Sequence, residues 1–493
     1  MLFADSLKKN MTLTRTENSA VTNSTTGSSV LDFFSAGGAL RSRLDNDIVN
    51  LFNSAWAEDR LLTLKAMFYF RDVRGGQGQR NAFRVQLHNL ANTYPDAAKR
   101  NLHLVPLYGR WDDLYAVFGT PVEKYAIGLF LSQLNSDLEA IENNGQPSLL
   151  GKWLKSENTS SKKSRKLAHK TRIGFGMDSK TYRQTLSKLR RAIRVVEVAM
   201  SAKVYDAIEY TKVPSQAMLK YRTAFARNDK ERFNQYLDDV KSGRAKINAD
   251  TLYPQQIIHE ISRGNIDSNV ADSLWNSMPD FTEGTTENAI AVVDVSGSMS
   301  GMPIEVAIGL GMYLADRAKG PYANKFITFS ESPQMVEIKG KNIVDKVNGI
   351  RQADWDMNTN IEAVMEQILQ TAIDNNCTSD EMVERLYIIS DMEFDSAVDA
   401  GYSDQDVLAH DEVLFKQLNE RFEESGYKMP NIVFWNVDSR NNNFPMSMDE
   451  RGFLNVSGYS PSIFKNLVNN TIVSPIEFMM EILNAERYRQ IEI

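Results

Sequence analysis

The stretch that decides the fold is Ala289-Ile290-Ala291-Val292-Val293-Asp294-Val295-Ser296-Gly297-Ser298-Met299-Ser300. Five apolar residues in a row, without alternation, suit a central parallel strand buried on both faces. The run stops at a carboxylate followed by two serines at alternate positions. A helix is predicted from about Pro303, a favoured first helical position, to Lys319, with Gly320 as its stop. A strand, a polar turn and a helix form the repeating unit of an α/β domain. Further strands are predicted at Lys325-Phe326-Ile327-Thr328-Phe329, Val336-Glu337-Ile338, Leu386-Tyr387-Ile388-Ile389-Ser390 and Asn431 to Val437. Their alternation with helices predicts a doubly wound α/β domain over residues 285–485, with ligands bound at the carboxyl ends of the strands.

The chemistry collects at those ends. Asp294, Ser296 and Ser298 follow the first strand, Asp391 follows Ser390, and Thr359 lies before a predicted helix in Asn358-Thr359-Asn360. These donors are all oxygens. Such a set favours Mg²⁺, with Mn²⁺ or Ca²⁺ as alternatives, over zinc. A helix-capping turn without metal is the competing explanation of Asp-x-Ser-x-Ser.

Outward from this domain the chain changes character. With 493 residues it is long enough for two to four domains. The net charge of −7 is the sum of unlike parts: residues 61–250 carry +15 and residues 281–493 carry −18. Residues 395–430 are acidic and read as an insertion. A seam is expected at residues 264–288, with a helical domain over 30–280 and a flexible Ser/Thr/Asn-rich arm or surface strap over 1–29. Helical spacing is seen in Leu61 to Tyr69, Phe83 to Leu90, Ile127 to Leu134 and Phe233 to Val240. Short polar joints between such helices predict a bundle or an α-solenoid.

The basic charge peaks in residues 151–194, at +12. Residues 160–179 show no clear helical period and read as a loop carrying Lys162, Lys163, Arg165, Lys166, His169, Lys170 and Arg172. A helix capped by Ser179 is expected next, its apolar face made by Leu186, Leu189, Ile193, Val196 and Met200. On it Arg190 and Arg194 fall within about 20° of Arg183. Loop and stripe together are expected to follow nucleic-acid phosphates. Two other motifs stand out. Arg71-Asp72-Val73-Arg74-Gly75-Gly76-Gln77-Gly78-Gln79-Arg80 offers either backbone amides to an anion or a glycine helix stop. Tyr108-Gly109-Arg110-Trp111-Asp112-Asp113 offers a tryptophan that reads as a core anchor, with a base-stacking platform as the alternative, and an arginine that can pair with Asp112 or Asp113.

The composition excludes several classes. One cysteine, Cys377, rules out a disulfide scaffold and a cysteine-rich zinc site, and a reducing, cytoplasmic setting is expected. No run approaches ~18 apolar residues, so no membrane span is expected, and Met1 to Lys9 does not read as a signal peptide. The five histidines show no ligand spacing, and no catalytic triad or nucleotide loop is found, so the chain is expected not to be an enzyme.

The chain resembles the Ro autoantigen family, whose helical part is the TROVE module, and more closely a related plant, fungal and phage group described as a domain of unknown function. The resemblance rests on Arg-Asp-Val-Arg-Gly-Gly from Arg71, Tyr-Gly-Arg-Trp-Asp-Asp from Tyr108, and Lys-Trp-Leu-Lys-Ser-Glu-Asn from Lys152. It rests also on Val-Pro-Ser from Val213 and Lys-Ile-Asn-Ala-Asp-Thr-Leu-Tyr-Pro from Lys246. The C-terminal half resembles a von Willebrand factor A domain with its metal-ion-dependent adhesion site. This implies a ring of HEAT-like helical repeats holding small non-coding or misfolded RNA. It implies an ion bound by the hydroxyls of Ser296, Ser298 and Thr359, with Asp294 and Asp391 acting through water. One coordination position would then be open to an acidic protein ligand. The implied activity is non-catalytic RNA binding, and the alternative is a metal-dependent protein scaffold without RNA. The oligomeric state is not readable from these residues.

Overall fold

The computed structural model describes residues 13–18, 20–193, 195–285, 287–329, 333–350, 360–394, 415, 417–468 and 473–493. Thr359, Arg194 and most of the acidic segment 395–430 lie outside the described residues. The chain divides into two compact units. One holds residues up to 66 together with 252–487, and the other holds 67–251 together with 488–493. This differs from the division expected at 264–288: residues 30–66 and 252–280 belong to the same unit as the sheet.

The first unit begins with a short antiparallel pair, β1 (Leu13–Arg15) and β2 (Val21–Asn23). Its turn is fastened by Thr16 Oγ1 donating to the carbonyl of Phe394 at 2.7 Å and by the amide of Glu17 donating to Glu393 Oε2 at 2.7 Å. The described part of the arm is thus a strap.

The main sheet has six strands: β3 (Ala289–Val293), β4 (Lys325–Thr328), β5 (Met335–Glu337), β6 (Arg385–Ser390), β7 (Asn431–Asn436) and β8 (Phe453–Ser457). Their order is β5-β4-β3-β6-β7-β8, all parallel except β5. Strand β8 was not expected: Phe453-Leu454-Asn455-Val456-Ser457 is broken by a polar residue, and its burial comes from the tertiary fold. Alternate residues serve opposite faces. Ile290, Val292, Leu386, Ile388, Ile432 and Phe434 join a core with Val364, Met365 and Leu369 of the helix Ile361–Asn375. On the other face the helix Met302–Arg317 lies so close that a Cβ on Gly311 would meet Val293 Cγ2 at 2.4 Å. Here Tyr387 and Trp435 pack on Phe464. Covered on both faces, the strands had to be apolar throughout, as the sequence of β3 showed. The chain leaves β3 toward β4 and leaves β6 toward β7, so the winding reverses between β3 and β6. That crevice is where such sheets place ligands.

The second unit is helical. Its longer helices are Asn81–Thr93, Glu123–Glu142, Lys162–Gly174, Ser179–Ala192, Ser215–Asn228 and Lys230–Lys241. Two expectations are corrected. Residues 162–174 form a helix, not a loop. Ser161 caps it and Ala168 and Thr171 are its buried pair, a face too narrow and small to register as apolar periodicity. The helix expected to run through Met200 ends at Ala192, and Val196–Ser201 is a separate turn of helix. The helix Ser179–Ala192 is capped by Asp178 and not by Ser179, because the Asp178 carboxylate accepts from the amides of Lys180 and Thr181.

Candidate metal centre and nucleic-acid interface

Asp294 ends β3 and is fully buried. Ser390 Oγ, at the end of β6, donates to its Oδ2 at 2.6 Å, and the amide of Ser296 donates to its Oδ1 at 2.9 Å. No cationic side chain pairs with it among the described residues. Burial, with a contribution from neighbouring Asp391, pushes its pKa up to about 6 against the hydrogen bonds from Ser390 and Ser296. A fully buried carboxylate without a positive partner is costly as an anion. It needs either a proton or a cation.

The neighbouring oxygens suit a cation. Ser296 Oγ and Ser298 Oγ share a hydrogen bond at 3.0 Å, a separation that two ligands of one ion would also have. In an octahedral sphere with metal–oxygen distances of about 2.1 Å, adjacent ligands are separated by about 3.0 Å. Asp391 is buried beside them, and its Oδ1 accepts from the amide of Glu393 at 3.2 Å. The donor set Asp294, Ser296, Ser298 and Asp391 therefore fits a hard divalent ion. No group of three histidine, cysteine or acidic ligands occurs among the described residues. Thr359 lies outside the described residues, but its neighbour Asn360 caps the helix Ile361–Asn375.

Two residues of this centre escaped the sequence reading. Ser390 orients Asp294. Arg440, beyond the end of β7, places Nη2 2.6 Å from Asp391 Oδ2 and Nη1 3.4 Å from Glu17 Oε2 in the strap. Ser390 ends β6, which borders the reversal point, and Arg440 lies four residues past the end of β7, the next strand in the sheet. Inspecting the residues at the end of each strand, and not those of the serine motif alone, would have found them.

In the helical unit the expected phosphate contacts separate into two kinds. Lys162, Lys163, Arg165, Lys166 and His169 are exposed on one helix, and Arg183 is exposed on the next. Among the described residues no carboxylate pairs with Lys162, Lys163, Lys166 or Arg183, while Arg165 Nη1 turns back onto the carbonyls of Thr159 and Ser160. Lys170 is paired with Glu123 at 2.7 Å and Arg172 with Glu157 at 2.8 Å. His169 lies 3.7 Å from Glu157. Arg190 is a staple: it donates to the carbonyls of Gly151 and Leu154 and to Ser156 Oγ, at 2.9–3.0 Å. Arg194 lies outside the described residues.

The arginine–glycine motif from Arg71 is structural. Arg71 is buried and its Nε lies 2.7 Å from Asp113 Oδ2. Arg84 joins Asp113 at 2.7 Å and Asp112 at 2.9 Å. Arg110 joins Asp112 at 3.1 Å and stacks on Trp153 at 4.1 Å. The amides of Gln77, Gly78 and Gln79 donate to the carbonyls of Tyr69, Asp72 and Phe70, so they are not open to an anion.

Comparison with known proteins adds the following. The domain of unknown function DUF2828 matches residues 16–118 and 154–295, and the domain of unknown function DUF7788 matches residues 288–490. The uncharacterized protein L728 of Acanthamoeba polyphaga mimivirus is 30% identical, over 96% of this chain and 87% of its own. The chain belongs to this family. In this DUF2828–DUF7788 protein the two sequence domains meet at residues 288–295, at the start of β3. The spatial division falls elsewhere, because residues 16–66 and 252–287 of the DUF2828 match lie with the sheet. The Asp294 and Asp391 centre belongs to the sheet-bearing unit, and the basic helices belong to the other.

Proposed function

We propose that the protein is a non-catalytic RNA-binding protein of Ro type, with a von Willebrand factor A-like domain that holds a divalent ion. The observation that carries the RNA reading is the pair of helices Lys162–Gly174 and Ser179–Ala192. They present Lys162, Lys163, Lys166, Arg183 and Arg191 to solvent without counter-carboxylates among the described residues. Unpaired cations in such density are costly to assemble unless a polyanion neutralises them. The metal reading is supported by the donor set at the reversal of the sheet, where Mg²⁺, or Mn²⁺ or Ca²⁺, would be held by the hydroxyls of Ser296 and Ser298. Asp294 and Asp391 would supply the compensating charge. Thr359 is proposed as a further hydroxyl ligand, and the helical unit as a HEAT-like array. A cytoplasmic setting agrees with the single free Cys377.

Fluorescence anisotropy with single-stranded RNA tests the reading. With about four phosphates neutralised, log affinity should fall against log salt with a slope of about −3. A flat response, or no binding at low salt, would refute it. The second reading is a metal-dependent protein scaffold, favoured by the carboxylate–hydroxyl centre alone. It predicts that Asp294→Ala abolishes capture of an acidic partner, and that the wild type shows no RNA affinity.

A further inference from the structure

Lys152-Trp153-Leu154-Lys155-Ser156-Glu157-Asn158 remains unexplained by the basic helices. Its last three residues, Ser156, Glu157 and Asn158, form one wall of a pocket of about 350 Å³ in the helical unit. Ser156 and Asn158 stand on this wall. Arg183, Ser187, Arg190 and Arg191 stand on the other, on the helix Ser179–Ala192. At ~100° per residue these four positions fall on one face about 100° wide. The volume lies at the lower end of the range for small-ligand sites and suits one nucleotide unit.

The charge of this pocket is unbalanced. Arg190 is half-buried, and its partners are two carbonyls and a hydroxyl. Burial lowers its pKa, and no carboxylate offsets this. Arg183 and Arg191 are exposed, without an ion-pair partner among the described residues. Glu157, the acidic residue of the lining, is committed to Arg172 at 2.8 Å. Three guanidinium groups thus share one concavity with hydroxyl and amide side chains and no available anion. Half-buried charges are ordinarily paired. The wall is also fixed in advance: the three hydrogen bonds of Arg190 hold the backbone from Gly151 to Ser156, so the pocket loses little entropy on binding. Exposed Val198 supplies an apolar lip.

We propose that this pocket binds a phosphate ester, the backbone phosphate and sugar of one nucleotide in a single-stranded RNA. Arg183 and Arg191 are the phosphate contacts, Ser156, Asn158 and Ser187 are hydrogen-bond partners, and Arg190 is a positioning residue. The proposal deepens the RNA reading and rests on it.

The test uses the full chain with two probes, a fluorescent ten-nucleotide single-stranded RNA and adenosine 5′-monophosphate. Arg183→Ala with Arg191→Ala should weaken RNA binding by about tenfold or more and reduce the salt slope by between about 1 and 2. Ser187→Asp, which places a carboxylate in the pocket and removes no packing, should weaken it similarly. Far-ultraviolet circular dichroism checks that each variant is folded. If wild-type RNA binding is seen and neither folded variant changes it, the pocket assignment fails and the RNA reading stands. If RNA does not bind but the monophosphate raises the melting temperature of the wild type and not of the variants, the pocket holds a free nucleotide and the RNA form of the proposal is overturned. If neither probe binds, both readings are overturned.

Discussion

Arg440 Nη2 lies 2.6 Å from Asp391 Oδ2, so a side chain already supplies a positive charge at the candidate metal centre. A divalent ion bound by the neighbouring hydroxyls would meet that charge as a repulsion. At roughly 5 Å and an effective dielectric constant of about 20, a unit charge and a doubly charged ion interact by about 7 kcal/mol. Arg440 is 29% exposed, and solvent screening reduces this to about 1 kcal/mol. Arg440→Gln is therefore expected to tighten Mg²⁺ binding by roughly fivefold in a calorimetric titration. Weaker binding would instead assign Arg440 the task of orienting Asp391.

Asp294→Asn should reverse the order of stability with and without metal. In the metal-free protein the wild type buries a carboxylate whose partners are a hydroxyl and an amide, and the amide side chain removes that cost. The variant is then expected to melt at or above the wild-type temperature in chelator. With millimolar Mg²⁺ the wild type should gain stability and the variant should not, because binding to the native state alone raises its melting temperature. Differential scanning calorimetry with and without Mg²⁺ reads both. Equal Mg²⁺ shifts in the two proteins would remove the metal assignment.

The carboxylates of the helical unit should set its acid sensitivity. Asp113 is fully buried between Arg71 and Arg84, and removing it takes the carboxylate from the buried Arg71 guanidinium, while Arg84 keeps Asp112. Asp113→Ala is expected to cost about 3–5 kcal/mol in urea denaturation. For Asp112, burial works to raise the pKa, but Arg110 and Arg84 outweigh it and hold the carboxyl below its usual value of 3.8. A carboxylate with a depressed folded pKa stabilises the fold above its unfolded pKa, and that stability is lost as pH falls through the folded pKa. The loss should therefore fall below about pH 4. Asp112→Asn should flatten the wild-type dependence of the urea midpoint on pH in that range.

What the sequence made legible followed the strength of its local pattern. β3 and the carboxylate after it were readable because a strand buried on both faces must be apolar throughout. Arg385–Ser390 and Asn431–Asn436 followed for the same reason. Phe453–Ser457 was not readable, since Asn455 interrupts it and is buried only by the fold. The helix Lys162–Gly174 was hidden because its buried face is Ala168 and Thr171, and its many cations erase the apolar period. The stripe of Arg183, Arg190 and Arg194 was drawn from angle alone. Angle places a side chain on a face but does not show that Arg190 spends its donors on the backbone of Gly151 and Leu154. Long-range partners such as Arg440 for Asp391, 49 residues apart, have no local signature.

Gly151 is expected to be as important to the basic pocket as its arginines. A Cβ at this position would lie 2.5 Å from Leu189 Cβ, an atom that a rotamer change cannot move. Gly151→Ala must push the segment carrying Ser156 away from the helix Ser179–Ala192. That shift stretches the 3.0 Å hydrogen bond from Arg190 Nε to the Gly151 carbonyl. Overpacking of this kind costs about 1–3 kcal/mol. Leu189 is itself buried, so Leu189→Ala alone should cost about 2–5 kcal/mol through the cavity it leaves. Alanine keeps its Cβ, so the 2.5 Å clash persists when the two changes are combined. The losses of the single variants should therefore add to within about 0.5 kcal/mol in the double variant. Urea denaturation of all four proteins closes the cycle, and a double variant more stable than the sum by about 1 kcal/mol or more would show that the new methyl presses on the outer atoms of Leu189 and not on its Cβ.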